Sequence, residues 1–149
     1  MLEVQELVGI LQKLIQTCRD GQAGYREAAE HIENPELKGF FNEQSIERAQ
    51  FAGQLESEVQ RLGEMEPQKK GSTGAALHRA WIDLKSNLGG GDQAILSSVE
   101  QGEEVARSAY EDAVKKDLPD HISTVIQNQA QSIFAAADHI KLLRQKRAA

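Results

Sequence analysis

The residues of this chain best placed to do chemistry are carboxylates and amides that fall on otherwise apolar helical stripes. Glu103 sits in the run Ile95, Leu96, Val99, Gly102, Glu103, Ala106 and Tyr110, where a carboxylate needs a cation or hydrogen-bond donors to offset its desolvation. In a bundle aligned by its tight turns, Glu47 and Gln129 come to a similar height, with Arg48, beside Glu47, or Gln129 as the candidate partner for Glu103. The group suits two kinds of chemistry. It forms either a structural polar network of Glu47, Glu103, Gln129 and Arg48, or a metal centre with Glu47 and Glu103 as ligands. A dinuclear iron site in a helical bundle draws carboxylates from all four helices and a Glu-x-x-His pair from two of them. Here Glu47 is followed three residues later by Gln50, and Gln131 by Phe134, so both pairs are missing. The expectation is no cofactor, with di-iron as the alternative.

Other reactive side chains are dispersed. Cys18 is the single cysteine, which rules out an internal disulfide and, on an apolar stripe, reads as a buried, unreactive thiol. His31, His121 and His139 are too scattered for one site and suit surface or dipole-compensating roles. Glycine-rich phosphate loops, nucleophile elbows and metalloprotease motifs are absent from the sequence. No catalytic residue is expected.

The elements that must position these residues are helical. Apolar or small residues at Val4, Leu7, Val8, Leu11, Leu14, Ile15, Cys18, Gly21, Tyr25, Ala28, Ala29 and Ile32 keep the three-four spacing of an amphipathic helix. Gly21 and Gly24 imply a close helix approach or a local bend, and a break near Asp20 is an open alternative. Asn34-Pro35-Glu36 ends this helix and caps a second, carrying Leu37, Phe40, Phe41, Gln44, Phe51, Ala52, Leu55, Val59 and Leu62 to Gly63. Asp92 is expected to cap a third helix, and Asp117-Leu118-Pro119 to turn into a fourth bearing Ile122, Val125, Ile126, Gln129, Ile133, Ala136, Ile140 and Leu143. Both turns are too short for anything but antiparallel hairpins. The segment 63–91 between them is long enough to return the length of a ~40 Å helix. It holds a short helical pattern around Leu77, Trp81 and Leu84, which suits packing on the bundle, with His78, Arg79 and Lys85 able to edge an anionic-ligand site. The fold expected is therefore all-α: residues 1–149 as one ferritin-like four-helix-bundle domain, two antiparallel hairpins joined by a lengthwise crossover, against an up-down-up-down alternative.

Several stretches resemble a family of uncharacterised bacterial ferritin-like four-helix-bundle proteins, classed as a domain of unknown function. They are Asp20-Gly21-Gln22-Ala23-Gly24-Tyr25-Arg26-Glu27-Ala28-Ala29, Pro35-Glu36-Leu37-Lys38, Arg48-Ala49-Gln50-Phe51-Ala52, the connector run from Gly74 to Lys85, and Lys116-Asp117-Leu118-Pro119. The connector run is the most specific. The resemblance implies the fold without an established activity, and some relatives are associated with stress responses.

Composition narrows the function classes. With 149 residues, 40% hydrophobic and 27% charged, the chain has globular composition, and a net charge of −6 argues against a general nucleic-acid binder. No apolar run approaches the ~20 residues of a membrane span, and the N-terminus lacks a secretory pattern, so a cytoplasmic location is expected. Lys141, Arg144, Lys146 and Arg147 complement a helix C-terminus. The expected function is a non-enzymatic accessory or interaction protein of stress physiology, working through an unknown protein partner or self-association, with Ile46 or Ile10 as departures from the apolar stripes. The alternative is an iron-handling protein or oxidase.

Overall fold

The computed structural model describes residues 2–63 and 89–148. Helix α1 runs Val4–His31, α2 Pro35–Arg61, α3 Asp92–Val114 and α4 Asp120–Ala148. The crossover pattern at Leu77 to Leu84, with His78, Arg79, Trp81 and Lys85, lies outside the described residues.

α1 is continuous through Asp20 and Gly21, and its buried face repeats the apolar spacing, apart from Val4, which is exposed at the start. Asn34 ends the hairpin turn as expected: its side-chain oxygen accepts the Leu37 N–H at 3.1 Å, and Pro35 follows at the first helical position. α2 buries Leu37, Phe41, Ser45, Arg48, Ala52, Leu55, Glu58 and Val59. That face differs from the expected one: Phe40, Phe51 and Leu62 only flank the core, while two charged residues lie within it. α2 ends into Gly63, whose φ of +92° belongs to the left-handed region that glycine enters without steric cost.

Asp92 departs from its expected role. It is the first residue of α3 rather than its cap, and Gly91 precedes it with no side-chain cap. The Asp92 carboxylate instead accepts the backbone N–H groups of Glu33 and Asn34, at 2.8 and 3.0 Å, in the α1–α2 turn. This contact fixes the topology. α2 starts at that turn and α3 starts against it, so the chain between Gly63 and Gly89 returns the length of α2, and α2 and α3 run parallel. At the opposite end, His121 Nε2 at the start of α4 lies 2.7 Å from Glu58 Oε1 and 3.0 Å from Arg61 Nη1 at the end of α2. The result is the expected ferritin-like connectivity, two antiparallel hairpins joined by a crossover. α1 lies beside α2 and α3, α4 beside α3 and α2, and the parallel pair α2 and α3 sits on a diagonal.

Two apolar clusters fill the bundle. One gathers Leu7 to Cys18, Ala52 to Val59, Ala106 to Ala113 and Ile122 to Ile133; the other gathers Tyr25 to Ile32, Leu37, Phe41, Ile95 to Val99 and Ile140. Between them, at one height, fall Gly21 on α1, Arg48 on α2, Glu103 on α3, and the buried Ala136 and Ala137 on α4. Among the described residues, no helix is long and apolar enough to cross a membrane.

Candidate functional site

The waist between the clusters is the site. Arg48 and Glu103 are each fully buried, and their side chains meet as a planar fork: Nη1 donates to Oε1 at 2.8 Å and Nη2 to Oε2 at 2.5 Å. Such a paired geometry suits guanidinium and carboxylate, both planar, better than an ammonium. Tyr25 donates its hydroxyl hydrogen to Oε2 as well. Its ring also lies under the guanidinium, 5.3 Å from Cζ to centroid, within the range where a cation is attracted to an aromatic face. Gln44, one turn before Arg48, accepts more weakly from Nη2 at 3.5 Å.

Gly21 makes the room. A methyl group at its Cα would stand 3.1 Å from Arg48 Nη1, tighter than ordinary van der Waals contact allows. The close approach expected of this glycine is therefore an approach to a side chain, and α1 passes it without a break. Arg48 Nε is buried without a hydrogen-bond partner among the described residues.

Electrostatics follow from burial and pairing. Burial is the largest single influence and works to lower the pKa of the Arg48 guanidinium, but the charge and hydrogen bonds of the facing Glu103 carboxylate, with Tyr25 and Cys18 nearby, together outweigh it, so the group stays charged with a pKa above its ordinary value. Burial, then the Glu103 charge, push the Tyr25 hydroxyl well above the usual tyrosine range. It therefore stays a donor.

A second polar chain lies one layer away. Tyr110 donates to Gln129 Oε1 at 2.7 Å, so the Tyr110 oxygen is left to accept from the Cys18 thiol, 3.1 Å away. The Gln129 amide then donates to Gln54 Oε1 at 2.9 Å and to the Phe51 carbonyl at 3.3 Å. Burial raises the Cys18 pKa from 9.0 to about 11, against a smaller opposing effect of the Tyr110 hydrogen bond. The thiol is buried, as its stripe position implied.

The expected network thus divides. Glu103 does find Arg48, as anticipated. Gln129 instead belongs to the Tyr110 and Cys18 chain, and Glu47, half-buried, shares no hydrogen bond or ion pair with Glu103 among the described residues. The roles of both tyrosine hydroxyls and of the Glu58–His121 contact were missed by sequence reasoning. Both tyrosines lie on apolar stripes, where a hydroxyl must find a partner, and that was the available signal. His31, His121 and His139 are dispersed and exposed, His139 edge-on to Phe40 at 4.8 Å.

The waist does not fit a dinuclear metal centre. It supplies one carboxylate with both oxygens engaged, a cation where metal ions would be held, and glycine and alanine on α1 and α4. Among the described residues, no three His, Cys, Asp or Glu side chains converge to hold a metal ion.

A family model described as a domain of unknown function, DUF2383, matches residues 6–116, from the first turn of α1 to just past α3. The chain belongs to this family. The DUF2383 match takes in Gly21, Tyr25, Arg48 and Glu103, so the guanidinium–carboxylate pair and the α1 residues against it lie within it, whereas Gln129 and the rest of α4 lie beyond it. No curated protein matches the chain.

Proposed function

We propose that this DUF2383 protein is a cytoplasmic, non-enzymatic helical scaffold that acts by binding a protein partner or a second copy of itself, in the stress physiology with which similar proteins are associated. One observation carries the proposal: Glu103, the one carboxylate at the centre of the bundle among the described residues, is held in full by Arg48 and Tyr25. An interior arranged in this way supports packing rather than turnover, which leaves the surface as the place where the protein meets other molecules. On that surface Ile46 is 62% exposed, beside an open hollow edged by Arg26, Glu30, Lys38 and Asn42. Ile10, by contrast, packs partly against the core.

Two measurements test the proposal, the first on the purified chain and the second on the purified chain and in cell extract. Anaerobic Fe(II) titration with metal analysis should show no more binding than an unrelated helical protein; stoichiometric uptake abolished by Glu103→Ala or Glu47→Ala would establish the iron-handling alternative instead. Light scattering and cross-linking with mass spectrometry should find a defined oligomer or a specific partner. A monomer that cross-links to nothing would refute the scaffold.

A further inference from the structure

The polar layer at the waist has the features of a ligand site whose ligand is covalently attached. Its walls come from two helices other than the one that carries Arg48. Glu103 on α3 presents two carboxylate oxygens at the spacing of a guanidinium fork, and Tyr25 on α1 offers a ring face to the cation and a hydroxyl to the carboxylate. Gly21 on α1 leaves the space for Nη1. Every wall is buried, and apolar clusters close it above and below. A plane with two donors on one edge fits these walls. A spherical dication needing four to six ligands finds one carboxylate and one phenol.

We infer that Gly21, Tyr25 and Glu103 form a preformed site for a planar guanidinium cation, which Arg48 fills from within the chain. This rests on the reading of the interior as cofactor-free, and it adds the chemical class that the interior selects. Truncating Arg48 empties the site without altering its walls, so the chain should then take a free guanidinium ion in its place.

The test is thermal unfolding of Arg48→Ala with guanidinium or methylguanidinium at millimolar concentration, against sodium chloride of equal ionic strength and, in parallel, Mn²⁺ or anaerobic Fe²⁺. Expected is a saturable rise in Tm of about 3–6 °C at tenfold the dissociation constant, absent in wild type and in Arg48→Ala/Glu103→Gln. A folded Arg48→Ala that shows no saturable rise, or that a metal ion stabilises more than guanidinium does, overturns the inference. Should Arg48→Ala not fold, Gly21→Ala decides. It should lower Tm when Arg48 is present and lose that effect in an Arg48→Met background, whereas an equal drop in both shows that no guanidinium slot exists. Either negative result leaves the wild-type iron and association measurements untouched, so the slot and the scaffold fail separately.

Discussion

Arg48 and Glu103 join two helices of the bundle that face each other across a diagonal rather than lie side by side. α2 and α3 run parallel across the diagonal, and the fork between these side chains spans it, with hydrogen bonds of 2.8 and 2.5 Å. Burying two charges is unfavourable in itself and is offset only by good geometry and satisfied partners. The pair should therefore matter more for which arrangement of helices forms than for total stability.

Removing one partner should expose that asymmetry. Glu103→Ala leaves a buried, uncompensated guanidinium and is expected to lower unfolding free energy by about 3–5 kcal/mol. Arg48→Met combined with Glu103→Leu should lose far less, or gain. Urea denaturation of the single and double variants measures both, and a double variant as unstable as the single one would contradict the account.

Alkaline pH should unfold the protein through its buried acids. Cys18 ionises near 9 when unfolded and near 11 when folded, so its contribution is whole below pH 9 and is lost as pH rises to 11. The unfolded state holds fewer protons in that window, so stability falls with pH, by about 2–3 kcal/mol for two units. Tyr25 and Tyr110, also raised by burial, extend the decline above pH 10. Denaturation curves from pH 7 to 11 should show the fall, and Cys18→Ala should flatten its early part.

Asp92→Ala should loosen the end of the bundle where the crossover arrives. It removes the acceptor for two backbone N–H groups, a loss of about 1–3 kcal/mol. Hydrogen exchange should quicken at the Glu33 and Asn34 amides first. Unchanged exchange there would remove Asp92 from the closure.

Ile46→Glu should leave folding within about 0.5 kcal/mol of wild type, since the side chain is exposed. Self-association seen by light scattering should nevertheless weaken. Persistence of the oligomer would place its contact elsewhere.

The periodicity of α1, α3 and α4 and the two short turns made the hairpins legible, and the length of the connector gave their relative direction. Glu103 announced itself as the lone carboxylate on an apolar stripe. The buried face of α2 was harder to read because Ser45, Arg48 and Glu58 lie on it, so apolar spacing alone pointed to Phe40 and Phe51. Asp92 looked like a helix cap because its residue type suits one; only the fold brings the Glu33 and Asn34 amides to it from 59 and 58 residues away. Gln129 was assigned to the wrong layer because two tight turns fix the height of a residue only to within a turn or two of helix.

The separation of Arg48 and Glu103 along the chain also sets an order of events. They are 55 residues apart, on opposite sides of the crossover, and neither hairpin can form the pair alone. Local hairpin contacts cost less loop entropy and should come first, with the fork closing once the hairpins have docked. Conservative disruption of it should speed unfolding more than it slows folding, so the waist governs how long the native bundle lasts rather than how quickly it appears.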